Sequence, residues 1–187
     1  MTFVIIPGLD GSDDHHWQSR WESDWLLGAV RIQPSSWSAP ELSDWSRAIT
    51  AAVESIPDDI VFITHSLGCH AVTYWLTSQV VPDRIRGAFM VAPPDPVADT
   101  FPADRLPSFT SLPTLALPVP AVLTVSTDDP YCTVAGAARL AAGWATPLIA
   151  LDELGHINTD SKLDLWSQGQ HLLTAFLAGL GVVPDKN

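Results

Sequence analysis

Ile60-Val61-Phe62-Ile63-Thr64-His65-Ser66-Leu67-Gly68-Cys69-His70-Ala71-Val72 is the stretch on which the reading of this chain turns. Ile60 to Thr64 is a short run of β-branched and aromatic residues, the composition of a buried strand. From Leu67 onward the apolar residues recur at helical spacing. Ser66 stands at the junction, where a sharp strand-to-helix turn lifts a serine Oγ clear of the sheet edge. Such an elbow needs small residues two positions to either side, because backbones approach closely there. Gly68 meets that need. Thr64 stands where glycine is usual, and its branched side chain fits only if the neighbouring strand leaves room. Ser-x-Gly alone is a common tripeptide and also describes a structural turn. The strand before it and the helix after it make Ser66 the expected nucleophile.

Working outward, short apolar runs at Phe3–Ile6, Ala29–Ile32, Ile60–Thr64, Gly87–Ala92, Ala121–Ser126 and Pro147–Leu151 each read as a strand. Helical patterns fall between them, near 14–27, 41–54, 67–80, 133–142 and 163–179. Alternation of this kind predicts an α/β fold, one domain over 1–187 with about six mostly parallel strands and helices on both faces. The segment 93–120 breaks the alternation, since it holds eight of the sixteen prolines. Prolines fix φ and remove backbone donors, so an ordered excursion over the surface, one that could border the site, is expected there rather than a long helix or a domain linker. Trp17, Trp21 and Trp25 recur every four residues, which places them on one helix face. That face reads as a core stripe, with an aromatic binding platform as the alternative.

A serine hydroxyl needs a base to take its proton. Hydrolases built around such an elbow present Ser, then Asp or Glu, then His, in loops after successive strands. Here Thr127-Asp128-Asp129-Pro130-Tyr131 follows the strand ending at Ser126, and Asp152-Glu153-Leu154-Gly155-His156-Ile157-Asn158 follows the one ending at Leu151. Both loops fall on the sheet edge where open α/β sheets bind ligands. His156 is the expected base and Asp129 the expected acid, with Asp128 as its competitor, since only one of two neighbours can face the ring. Asp-Asp-Pro is also ordinary turn chemistry. His65 and His70 read as local packing or hydrogen-bonding residues, and His171 as a packed or solvated helix residue. Asp13-Asp14-His15-His16 allows a metal reading, but adjacent residues rarely point at one ion and no spaced zinc pattern accompanies them. An oxyanion needs amide donors; the N–H of Leu67 and, in the loop after the first strand, that of Leu9 are expected to supply them, with Gly8 permitting the approach. That loop otherwise reads as a plain glycine-bearing turn, and it has neither GxGxxG spacing nor a Walker lysine.

These residues resemble the small serine hydrolases of the α/β-hydrolase fold that include YdeN and retinoblastoma-binding protein 9. The resemblance spans nearly the whole chain: Pro7-Gly8, Ser12 and His16-Trp17, the elbow at His65-Ser66-Leu67-Gly68-Cys69, Ser126-Thr127-Asp128-Asp129-Pro130-Tyr131, and Gly155-His156-Ile157-Asn158. It implies a single-domain fold without a large lid, ester-hydrolase activity, and a triad on Ser66, Asp129 and His156. Thr64 departs from the glycine often found there.

Bulk composition sets the outer limits. With 187 residues, 47% apolar and 16% charged, the chain can bury a full core. A net charge of −12 repels phosphate backbones and anionic lipid, which argues against nucleic acid and membrane surfaces as partners. Cys69 and Cys132 form no CxxC and no disulfide framework. The start reads as a first strand and not a signal peptide, so a cytoplasmic location is expected. No cofactor is expected. The sequence thus predicts an esterase of small or medium acyl groups acting on a small-molecule ester. Peptide or thioester cleavage at the same site and a non-catalytic protein-binding module stand as alternatives.

Overall fold

The computed structural model describes residues 1–181. Along the chain lie β1 (Thr2–Ile6), α1 (Trp17–Asp24), β2 (Val30–Arg31), α2 (Leu42–Ser55), β3 (Ile60–His65), α3 (Leu67–Thr77), β4 (Ile85–Val91), β5 (Ala121–Ser126), α4 (Val134–Trp144), β6 (Leu148–Leu151) and α5 (Ser167–Gly179). The strands make one sheet in the order β2-β1-β3-β4-β5-β6, every neighbouring pair parallel. Parallel neighbours require crossovers, and packing helices over both faces explains why β3 is buried throughout and apolar from Ile60 to Ile63 rather than alternating.

Side chains still take turns between the two faces. Val4, Ile6, Ile60 and Phe62 face a core closed by α2, α3 and α4, while Ile5, Val61 and Ile63 face one closed by α1 and α5. Phe62 is fully buried between sheet and helices, and truncating such a residue to alanine costs about 3–5 kcal/mol. Trp17 and Trp21 lie buried in the second core and Trp25 packs half-buried against it, so the tryptophan stripe is a core stripe.

Several boundaries differ from the predicted ones for identifiable reasons. The first helix begins at Trp17 rather than 14, because the Gln18 amide donates to His16 Nδ1 (3.1 Å) and caps it there. It ends at Asp24, and Gly28 at φ 85° turns the chain into the sheet. The strand expected at 29–32 shrinks to Val30–Arg31 on the sheet edge, although the Ile32 amide still donates to Ile5 O (3.2 Å). The last helix starts at Ser167, not 163, because Lys162, Asp164 and Trp166 have left-handed φ of 52°, 50° and 42°. A right-handed helix cannot pass through them. The third helix stops at Thr77, three residues before the predicted end.

The proline-rich segment 93–120 carries neither strand nor α-helix, only a single 3₁₀ turn at Pro107–Phe109. It is nonetheless anchored. Phe101, Leu106 and Phe109 are buried in the α2–α4 core, and the Leu42 amide donates to Ser108 Oγ (3.1 Å). Among the described residues, no helix is long and apolar enough to cross a membrane.

Candidate active site

Ser66 sits between β3 and α3 at φ 53°, ψ −124°, a conformation that a serine adopts only under constraint from its surroundings. One such constraint is the bond from the Ser66 amide to Val91 O at the end of β4 (2.9 Å). Close approach on the far side excludes any Cβ at position 68, which would fall against the carbonyl oxygens of Ile6 and Pro7. A Cβ on Gly8 would lie 2.7 Å from Ser66 Cβ, so the loop after β1 passes directly over Ser66. Thr64 is accommodated by α3 rather than by a neighbouring strand. Its Oγ1 lies 3.1 Å from Cys69 Sγ, and the thiol in turn donates to Val91 O (3.3 Å). Burial pushes that thiol up to about 12, so Cys69 stays protonated and unreactive.

The structure brings Ser66, His156 and Asp129 together. His156 Nε2 lies 2.8 Å from Ser66 Oγ, and His156 Nδ1 lies 2.9 Å from Asp129 Oδ2 and 3.0 Å from Oδ1. The Asp129 side chain is 1% exposed and also accepts the Tyr131 amide (2.8 Å). Asp128 faces elsewhere. Its Oδ1 accepts the Ser126 hydroxyl (2.6 Å) and the Gly155 amide (2.7 Å), and these two donors hold its carboxyl below the usual carboxylate range. Asp128 therefore joins the two loops instead of touching the imidazole.

A cleft of about 550 Å³ opens over Ser66 and His156. Gly8 and Leu9 form part of one wall with Leu67, and among the described residues the amides of Leu9 and Leu67 donate to no protein acceptor. The proline-rich segment borders the site through Pro94, Pro102, Arg105 and Leu106, and Arg105 reaches Asp10 on the β1 loop at 3.8 Å. Tyr131, 4.7 Å ring to ring from His156, packs edge-on against the imidazole. A larger hollow lies at the opposite end of the sheet, around Pro82, Arg86 and Pro118, far from these groups in the chain's topology.

The other histidines separate clearly. His171 is exposed on α5. His70 is buried and donates from Nε2 to Pro94 O (2.7 Å), fixing the start of the proline-rich segment. His15 is exposed while His16 is buried, so the adjacent rings do not share a site. Among the described residues, no three His, Cys, Asp or Glu side chains cluster as a metal-ligand set. Burial holds His16 at about 3, and it pushes His65 well below the ordinary imidazole value, helped by the neighbouring rings of His16 and His156. Both stay neutral near pH 7.

Sequence reasoning overlooked the side chains that support this geometry. Gln18, fully buried, donates to Ile6 O (3.3 Å) and Ile63 O (3.1 Å) and ties together the ends of β1 and β3. Trp17 Nε1 donates to Ile157 O (2.8 Å), next to His156 in the chain. Nothing in hydrophobic periodicity distinguishes a core indole whose N–H reaches a site loop from one that does not.

A family model described as serine hydrolase matches residues 3–175. No curated sequence matches the chain. Among solved structures, a YdeN-like hydrolase of Pectobacterium atrosepticum is 30% identical, with TM-score 0.83 over 98% of this chain and 92% of that one. The ydeN gene product of Bacillus subtilis superimposes with TM-score 0.79 at 19% identity, covering 95% of this chain and 98% of its own. Esterase 2 of Thermogutta terrifontis shares the fold at TM-score 0.65 and 17% identity, over 99% and 85% of the two chains.

Proposed function

The chain belongs to the serine hydrolase family, and we propose that it cleaves carboxylic esters of small or medium acyl groups with Ser66, His156 and Asp129 as its triad. The observation that carries this reading is the unbroken line Asp129 Oδ2···His156 Nδ1, His156 Nε2···Ser66 Oγ, at 2.9 and 2.8 Å. In that line Nδ1–H donates to the carboxylate, which leaves the Nε2 lone pair facing the serine hydroxyl. His156 takes the hydroxyl proton as Oγ attacks the ester carbonyl, and Asp129 fixes the tautomer and stabilises the imidazolium that results. The tetrahedral oxyanion is received by the amides of Leu67 and Leu9. His156 then protonates the departing alkoxide, leaving an acyl-Ser66. Water attacks the acyl-enzyme after giving a proton to His156, and collapse returns that proton to Ser66 as the acid leaves. Side chains, two amides and water suffice for every step.

Cleft size supports modest acyl groups. About 550 Å³ bounded by Leu9, Pro102 and Leu106 suits a short or medium chain, and the segment that forms this wall is fixed to the core by Phe101, Leu106 and Phe109. A fluorophosphonate is expected to modify the native protein once, at Ser66, with labelling abolished in Ser66→Ala. Labelling at another serine would remove the assignment. Matched ester, thioester and amide substrates of one acyl group then decide the bond cleaved, with the ester expected fastest.

A further inference from the structure

We propose that His65, the residue before the nucleophile, is a positioning residue that holds the base from within the elbow by donating its Nε2–H to the backbone carbonyl of His156. The inference rests on the role given to Ser66 and His156 above. The contact is 2.9 Å long. A carbonyl can only accept, so the proton of the neutral His65 ring resides on Nε2. His65 is 4% exposed and terminates β3, where its backbone pairs with Val91 of β4, so the donor stands on a central strand paired on both sides. Its ring is flanked by His16 at 4.7 Å and His156 at 5.0 Å between centroids.

The need for such a hold lies in the loop itself. Ile157, next to the base, is fully buried with φ 50°. A β-branched residue in the left-handed region is unfavourable and persists only where its surroundings leave no alternative. Two successive carbonyls meet donors from other elements: His156 O takes the His65 N–H and Ile157 O takes the Trp17 indole N–H at 2.8 Å. The His65 bond has a consequence that the Trp17 bond lacks. It closes a short ring through the Ser66–His65 peptide, the His65 imidazole, the His156 backbone and its ring, and back to Ser66 Oγ. The 2.8 Å separation of Oγ and Nε2 is thereby set by one compact unit. A neutral donor also suits the place, since His156 becomes cationic as it takes the serine proton and a second cation beside it would oppose that transfer.

The test is a pair of near-isosteric replacements, His65→Gln and His65→Met, one with a terminal N–H donor and one without. Folding is followed by thermal unfolding, and steady-state kinetics use a short-chain nitrophenyl ester. His65→Met is expected to lower kcat roughly 10–100-fold, the range for small misplacement of a reacting group, with KM changed less than about twofold. His65→Gln is expected to recover most of that loss. Should His65→Met not fold, His65→Asn replaces it, its amide being too short to reach His156 O. The inference is overturned if the donorless variant turns over like the wild type, if the loss falls on KM, or if Gln does no better than Met or Asn. A wild type neither labelled by fluorophosphonate nor able to cleave the ester overturns the proposed function itself, a result distinct from an active wild type with equivalent variants.

Discussion

The loops carrying Asp129 and His156 meet at 2.9 Å, yet they are held by opposite means. Residues 127–131 form a compact turn with ordinary backbone angles. Asp129 accepts the amide of Tyr131 two residues on, and Asp128 accepts the Ser126 hydroxyl two residues back. The base loop passes through left-handed φ at Glu153, Gly155 and Ile157, of 40°, 59° and 50°. Beyond its own turn at 158–161, it is fixed by groups brought from elsewhere. Thr127, Ser126 and Asp128 accept the amides of Glu153, Leu154 and Gly155, while His65 and Trp17 donate to the two carbonyls that follow. The Asp129 carboxylate is oriented chiefly from within its own turn, whereas the loop of His156 depends chiefly on groups from other elements.

The largest effect that can break this comparison is expected at the acid. Asp129→Asn should lower kcat by roughly 10⁴-fold, as replacement of the equivalent carboxylate does in serine proteases, while circular dichroism and the unfolding midpoint change little. A loss below about tenfold would deny Asp129 the role of partner to His156.

Acid should next separate the two sides by pH window. His16, at about 3, and His65 and His70, lowered by burial, refuse protons that the unfolded chain accepts near pH 6.5. A histidine depressed in this way favours the folded state at higher pH, and as pH falls below about 6.5 each such group removes about 1.4 kcal/mol of stability per pH unit until its folded value is reached. Asp128 is depressed too, but as a carboxylate: its contribution is complete above about pH 4 and disappears only as pH falls through its lower folded value. The histidine side of the site should therefore loosen first. Urea unfolding at pH 7.5, 6 and 5 checks this, and equal midpoints at the three values would contradict it.

Trp17→Phe sharpens the comparison by removing a single distant donor. The buried Ile157 carbonyl loses its partner, at a cost of about 1–3 kcal/mol, while the ring packing is largely kept. Hydrogen exchange should quicken at 154–158 and stay unchanged at 127–131. Equal acceleration in both loops would mean that they are one unit. The smallest effect is expected for Asp128→Asn, whose Oδ1 can still accept both of its donors. Loss of charge there should reduce kcat/KM by no more than about fivefold, an order-of-magnitude allowance for weakening charge-assisted bonds. If it rivals Asp129→Asn, the local reading of the acid turn is wrong.

The same division decides what could be read from the sequence. The place of Ser66 was legible because strand, turn and helix lie consecutively around it, and the sheet was legible because β3 to β5 are short, largely apolar runs. Asp129 and His156 were legible by residue type and by their loops' places after β5 and β6. Their supports were not. The pairing of His65 with His156 O spans 91 residues and that of Trp17 with Ile157 O spans 140, and no pattern along the chain marks either. Helix ends failed for a related reason. His16 acts as a cap through a ring nitrogen, not through the usual Ser, Thr, Asp or Asn, and Trp166 takes a left-handed φ while its indole stacks on Trp21 at 5.8 Å. The proline count foretold an irregular 93–120 and left open whether it borders the site; the cleft wall of Pro94, Pro102, Arg105 and Leu106 answers that.

The sheet closes on one side with the two residues of β2 and on the other with the four of β6. An open sheet is a template: unpaired amides and carbonyls along its borders can recruit a strand from another molecule, and a long flat border does so readily. Here the strands most prone to self-association, β3 and β4, are paired on both sides. Next to the β2 border, Arg31 is held by Glu22 of α1, with Nε 2.9 Å from Oε2, which ties this short strand to the helix that covers it. A chain with 47% apolar residues can therefore bury a sheet of six parallel strands and leave a neighbouring molecule only two short borders to extend, so crowding is expected to concentrate this enzyme without polymerising it.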